Sequence, residues 1–277
     1  MGGRTLIPRR TPILVKFGGE LLEEPRRLRR LAKALVAANA GRPIVVVHGG
    51  GHEVDTEMAR LGIANRAVDG LRLTDSATLD VVVGVLAGRV NTRLVAAIGA
   101  AGGRPVGLTG ADAGIARVRR ARRYRGSDGS SVDLGFVGLP ESDETPALIG
   151  ALIRDGYMPV IASVGCDAVG HLFNVNADTL AGNLAPRIGA RQLIIAGTTP
   201  GVLDPTGRTI PLVDHECLVN LIREKQASAG MVAKLRACQA AHMGGVARVE
   251  IVDGRRATFL DHKRRRGVTR VTGHRRA

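Results

Sequence analysis

Residues Ile44-Val45-Val46-Val47-His48-Gly49-Gly50-Gly51 decide how the rest of the chain is read. Four β-branched residues in a row form the pattern of a buried central strand, and three glycines at its C-terminal end leave bare backbone where a helix can begin. Successive glycine N–H groups can converge there on an anionic oxygen with no side chain in the way. A tight strand-to-helix turn without a ligand would read the same way, so one instance is not enough. Ile13-Leu14-Val15-Lys16-Phe17 running into Gly18-Gly19 is the second, and it carries a lysine.

Around these two stretches strands and helices alternate. Residues 25–40 have helical spacing (Leu28, Leu31, Leu35, Val36) and end before Gly41; a helix over 52–61 is stopped by Gly62. The alternation predicts an α/β fold, a three-layer αβα sandwich with a central, mainly parallel sheet. Thr74 or Asp75 supplies N-cap chemistry for an apolar helix over 76–101. Asp80, Arg89, Asn91 and Arg93 interrupt that helix, which reads as a core helix and not a membrane span. Residues 115–124 and 131–137 form a hairpin around Gly126-Ser127-Asp128-Gly129. The second half continues with helix 145–155, strand 158–163, helix 179–188, strand 192–196, helices 214–225 and 230–244, strand 246–252 and an edge strand within 267–272.

Composition narrows the function classes. The 277 residues include 40 basic and 25 acidic ones, a net charge of +15, with 44% hydrophobic and only 2% aromatic residues. A base-stacking nucleic-acid surface is poorly supplied, and the excess charge reads as solvated faces more than as nucleic-acid binding. Only five of the basic residues are lysines. Where one stands at a glycine turn, a compact ammonium is wanted in place of a planar fork. Six arginines crowd positions 117–125; on a hairpin they read as exposed, with an acidic partner as the alternative. Cys166, Cys217 and Cys238 are odd in number and lack metal-ligand spacing, so they read as buried thiols in a reducing cytosol. The basic leader 1–11 has no apolar stretch of the signal-peptide kind.

Four pieces suit the C-terminal edge of one parallel sheet, where open α/β folds place ligands: Lys16 with Gly18 and Gly19; Gly49, Gly50 and Gly51; Asn174 and Asp178; and Lys234. Two lysines, glycine N–H groups and a carboxylate suit phosphoryl transfer, in which neutralising and aligning negative charge dominates. No Gly-x-x-x-x-Gly-Lys-Ser/Thr motif occurs, so the chemistry is not of the P-loop kind. Singly, Lys16 reads equally as a surface lysine and Asp178 as a helix cap.

Six segments in order resemble the amino-acid kinase family over nearly the whole chain: 15–19 (Val-Lys-Phe-Gly-Gly), 47–51 (Val-His-Gly-Gly-Gly), 70–75 (Gly-Leu-Arg-Leu-Thr-Asp), 133–138 (Asp-Leu-Gly-Phe-Val-Gly), 174–178 (Asn-Val-Asn-Ala-Asp) and 230–234 (Gly-Met-Val-Ala-Lys). The similarity is to the branch that phosphorylates the side-chain carboxylate of N-acetyl-L-glutamate in arginine biosynthesis. It implies an N-terminal lobe, 1–175, for that acid and for dimerisation, and a C-terminal lobe, 176–277, for ATP with its Mg2+; the protein itself holds no metal. Lys16 and Lys234 would stabilise charge on the transferring phosphoryl and the leaving ADP, and Asp178 would hold both lysines. Gly50, Gly51, Arg72 and Asn174 would bind the acid; Lys16, Gly18, Gly19, Thr198 and Lys234 would bind the nucleotide.

The chain departs from the family pattern in three places. Gly197-Thr198-Thr199-Pro200-Gly201-Val202 lacks the acidic residue the family carries near the nucleotide, and the 261–266 segment is far more basic than usual. The proline-interrupted leader is unlike the extra helix of arginine-inhibited relatives, which implies a homodimer without arginine feedback. Two rival readings remain: a kinase acting on an aminoadipate or glutamate side chain displayed by an acidic carrier protein, and a non-catalytic regulatory or nucleic-acid-binding relative.

Overall fold

The computed structural model describes residues 11–273 apart from 69–70, 122, 126–128, 130, 142, 225, 262–264 and 266. The leader therefore lies outside the described residues, except for Thr11. Eight strands form the central sheet: β1 Ile13–Phe17, β2 Ile44–His48, β3 Pro105–Thr109, β4 Met158–Ala162, β5 Gln192–Gly197, β6 Leu212–Val213, β7 Arg248–Asp253 and β8 Val268–Val271. Their order is β6-β8-β7-β5-β1-β2-β4-β3, and every pairing except β7 with β8 is parallel.

Strict alternation along the strands sends side chains into two cores, one on each face of the sheet. Val15, Phe17 and Val46 pack with Leu31 and Leu35 of α1 (Pro25–Gly41), Val54 and Met58 of α2 (Gly51–Arg60), and Leu86 and Leu94 of α3 (Ser76–Ala100). Leu14, Val45 and Val47 pack with Ile149 of α4 (Ala147–Arg154), Leu180 and Leu184 of α5 (Ala177–Arg187), Leu218 of α6 (His215–Arg223) and Leu235 of α7 (Ala229–Met243). This is the three-layer αβα sandwich. The helices start where their sequences allow: the Glu24 carboxylate accepts from the Arg26 and Arg27 N–H groups ahead of Pro25, and Asp75, not Thr74, caps α3 through the Thr78 N–H.

Three expectations need correction. Residues 268–271 are not an edge strand: β8 lies inside the sheet as its antiparallel member, and the two-residue β6 covers it. Asp178 does not cap α5; Asn176 does, accepting from the Thr179 N–H at 3.0 Å. Asn174 belongs to a second, four-stranded sheet, ordered Val164–Cys166, Leu172–Val175, Val137–Pro140, Val118–Arg120, which stands beyond the end of β4. Helix α3 is 25 residues long and apolar enough to cross a bilayer by length and composition. Its Val82, Leu86, Val90, Leu94 and Ile98 are nevertheless buried in the protein core. A π-helical segment over Gly84–Val90 interrupts it, and Leu86 and Val90 within that segment stand beside Gly50 of the loop after β2.

Candidate active site

Lys16 is the fourth residue of β1 and faces α5, on the same side as Leu14. Asp178 is the second residue of α5, so the helix lowers its carboxylate onto the lysine: Lys16 Nζ stands 2.8 Å from Asp178 Oδ1, with both side chains under 8% exposed. The contact is an ion pair without hydrogen-bond alignment, since Oδ1 has no hydrogen-bond partner. Lys234, in the second turn of α7, brings its ammonium to 3.9 Å from Asp178 Oδ2 and lays its stem beside Gly197 at the end of β5. One carboxylate thus holds two ammonium groups in a low-dielectric pocket and leaves a net positive charge, which suits a polyanion. Of the three cysteines expected to be buried only Cys238 is, Cys166 and Cys217 being partly exposed near a chain turn and a helix start. Cys238 lies against the same cluster, and burial, reinforced by the Asp178 carboxylate, pushes its thiol up, so it stays protonated.

The two glycine turns meet in front of this cluster. The Gly18 N–H donates to the Ala196 carbonyl at 3.3 Å and the Gly49 N–H to the Phe17 carbonyl at 3.2 Å, tying both turns to β1 and β5. A Cβ on Gly19 would stand 2.6 Å from Gly50 Cα, and one on Gly50 would stand 2.8 Å from Leu86 Cδ2. Only glycine permits that approach. The N–H groups of Gly19, Gly50 and Gly51 have no acceptor among the described residues. Gly51 begins α2, whose N-cap Gly50 offers no side chain, so the bare helix end adds its dipole to the same spot.

His48 is a residue that sequence reasoning missed. It is fully buried; the Asn91 amide nitrogen lies 3.0 Å from Nε2, and Gly49 O lies 3.1 Å from Nδ1. An amide nitrogen only donates, so Nε2 accepts and Nδ1 carries the proton that holds the Gly49 carbonyl. Burial lowers the His48 pKa to about 4, so the ring is neutral. The partner Asn91 stands 43 residues away in sequence, and nothing local in the chain signals the pairing.

Arg72 and Asn174 form a separate wall. The Arg72 guanidinium pairs with Asp55 and donates to Asn65 Oδ1 at 2.8 Å and to the Gly51 carbonyl at 3.3 Å. Asn65 in turn donates to Asp55 at 2.9 Å. The Asn174 amide donates to Thr74 Oγ1, which donates to the Arg72 carbonyl, at 3.2 and 3.1 Å. Arg72 therefore touches the glycine loop, and Asn174 reaches it through Thr74. Thr198 is half-buried just past β5. The acidic residue missing there has a neighbour on the adjacent strand: Asp253 is in register with Gly197 and is held by Arg255 at 2.8 Å.

The 117–125 run is exposed at Arg117, Arg119, Arg120 and Arg123; Arg122 lies outside the described residues. Arg120 pairs with Asp133 at 3.1 Å. A cavity of about 1510 Å³ lies between this hairpin and α5 and α7, and the lysine–aspartate cluster does not line it. Part of the basic 261–266 segment is structural: Arg265 is buried at 2.7 Å from Glu250, which also accepts from Gln192 and Arg248.

The sequence profile of the amino acid kinase family matches residues 11–253, and the chain belongs to that family. Within it, the chain falls with the acetylglutamate kinases. The acetylglutamate kinase of a Synechococcus strain is 40% identical over 246 residues, which cover 87% of this chain and 76% of the relative. That of Brachyspira hyodysenteriae is 36% identical over 247 residues, covering 88% and 83%. Giardia carbamate kinase superposes with a TM-score of 0.64 over 95% of this chain and 99% of its own at 12% identity, a likeness of fold alone.

Proposed function

We propose that the protein is an acetylglutamate kinase: it transfers the γ-phosphoryl group of ATP to the side-chain carboxylate of N-acetyl-L-glutamate, forming an acyl phosphate and ADP. The observation that carries the reading is the Lys16–Asp178–Lys234 cluster facing glycine N–H groups that have no acceptor of their own. A carboxylate oxygen attacks the γ-phosphorus while the bond to the β,γ-bridging oxygen breaks, and that electron pair leaves with ADP. Both reactants are anions that repel each other, so the barrier falls when fixed cations and N–H dipoles hold them in line. Lys16 neutralises the transferring phosphoryl, Lys234 the developing charge on ADP, and Asp178 keeps both ammonium groups in place. The N–H groups of Gly50 and Gly51 take the acceptor carboxylate, Gly18 and Gly19 line the nucleotide phosphates with Thr198 nearby, and Arg72 and Asn174 receive the α-carboxylate end of the acid.

The reading extends to a division of labour, with residues 1–175 holding the acid and 176–277 the nucleotide. Mg2+ arrives with ATP. Among the described residues no group of three or more His, Cys, Asp or Glu could hold the ion unaided, whereas nucleotide phosphates supply oxygen ligands of the kind it prefers. A homodimer is part of the proposal, since β3 leaves one edge of the central sheet open. So is a cytoplasmic setting, which suits three unpaired cysteines. Exposed Arg117, Arg119, Arg120 and Arg123 favour one second reading, a carboxylate presented on an acidic carrier protein.

Trapping the acyl phosphate with hydroxylamine tests these readings. ATP-dependent signal with N-acetylglutamate, and none with glutamate, aspartate or α-aminoadipate, is the expected result. Silence on all four free acids would overturn it and direct the search to a carrier.

A further inference from the structure

Glu20 follows the glycine pair at the end of β1. Gly18 is extended (φ −68°, ψ 150°), so the alternation of the strand continues through it. Leu14 and Lys16 face α5, Val15 and Phe17 face the opposite layer, and position 18 therefore looks toward the lysine–aspartate cluster. A Cβ on Gly18 would stand 2.5 Å from both Glu20 carboxylate oxygens. The Glu20 side chain is thus folded back over the strand end, in the space that the missing side chain leaves. Its main chain is held there by Arg27, which donates to the Glu20 carbonyl at 2.9 Å.

Most neighbouring carboxylates on this edge are committed, and none of them is both free and open to solvent. Glu24 accepts two N–H groups of α1, Asp178 lies between two lysines, and Asp253 is bound by Arg255, whereas Glu23 turns a buried Oε1 without a hydrogen-bond partner toward His52 at 3.1 Å, away from solvent. The Glu20 carboxylate has no hydrogen bond or ion pair among the described residues and is exposed to solvent. A free carboxylate beside N–H groups that receive phosphates is a paradox, because like charges at close range near a protein surface repel. A divalent cation between them reverses the sign. Mg2+ takes one or two protein carboxylates together with substrate phosphates and waters, and no larger cation-binding group exists among the described residues.

We propose that Glu20 is the protein's carboxylate contact to the Mg2+ carried by the nucleotide, directly or through one of the ion's waters. The inference rests on the kinase reading above. It explains why position 18 is glycine in terms separate from backbone N–H donation: a side chain there would displace the Glu20 carboxylate.

The test is titration calorimetry of ADP into the full-length protein, once with excess Mg2+ and once with EDTA, for the wild type and Glu20→Gln. The amide is isosteric and the position exposed, so the fold is retained, which a thermal melt checks. Loss of the carboxylate should weaken MgADP binding about tenfold and leave metal-free ADP bound equally well or better, because the repulsion is gone. Broadening of the Mn2+ electron-resonance spectrum by protein and ADP should fall in parallel, and Glu20→Asp should restore part of it. Equal MgADP affinity in wild type and Glu20→Gln would overturn the assignment, as would equal losses with and without metal. A wild-type protein that binds ADP in neither condition would instead overturn the kinase reading.

Discussion

Acid should loosen this protein through His48. The buried ring is neutral because burial lowers its pKa to about 4 from 6.5, and the Asn91 amide that faces Nε2 only donates. A proton on Nε2 would meet that donor head-on. Turning the amide over would take its nitrogen from the Leu108 and Val160 carbonyls, at 3.2 and 3.0 Å. Glu53 favours the charged ring and Arg93 opposes it, but burial dominates both. Because the folded pKa lies below the unfolded one, the unfolded chain binds more protons between the two values, and stability falls as pH falls. The contribution is fully present above pH 6.5 and is lost on the way down through about pH 4. At about 1.4 kcal/mol per pH unit the full loss is about 3 kcal/mol, with about 2 kcal/mol gone by pH 5. The assay is urea unfolding between pH 5 and 7.5 for the wild type and His48→Asn, whose amide can still donate to the Gly49 carbonyl without titrating. Wild-type stability should drop more steeply on acidification by that amount. Parallel pH profiles in the two proteins would refute the reasoning.

Lys16→Ala and Lys234→Ala should each lower turnover by orders of magnitude in the coupled ADP-release assay while leaving a folded protein, since each removes a positive charge that faces the reacting phosphoryl. Arg72→Ala should mainly raise KM for N-acetylglutamate and leave KM for ATP near its starting value, a split that steady-state kinetics resolves. Gly50→Ala places a Cβ 2.8 Å from Leu86 Cδ2; activity should collapse, and trimming the obstruction with Leu86→Ala in the same chain should restore part of it. Millimolar arginine should leave the initial rate unchanged.

The fold was legible because its signals are local. Runs such as 44–47 and 13–17 end in glycine, and the helices between them keep a 3.6-residue spacing, so the layers and the parallel core of the sheet follow from neighbouring residues alone. Failures came where partners are distant or elements short. Two-residue β6 has no measurable period, so the sequence pattern alone leaves β8 looking like an edge that β6 in fact covers. At the site, glycines and lysines stand out by type, whereas the groups that hold them do not. The Asp55 and Asn65 brace on Arg72 becomes visible only when α2 and its following loop are folded against the Leu71–Arg72 strand. Arg265 looked like one more charge in a basic tail because composition cannot show that Glu250 waits for it in the sheet.

The backbone contact between Gly19 and Gly50 makes the site a ruler without side chains. Under the proposed function one turn serves the donor and the other the acceptor, and the spacing between the two reactants would then be set by main-chain dimensions. Acceptor choice, by contrast, would be held by side chains on the separate wall of Asn65, Arg72 and Asn174. A protein engineer could therefore rewrite that wall for a different carboxylic acid and keep the transfer distance, whereas any side chain added at the ruler itself would change the distance for every acid at once.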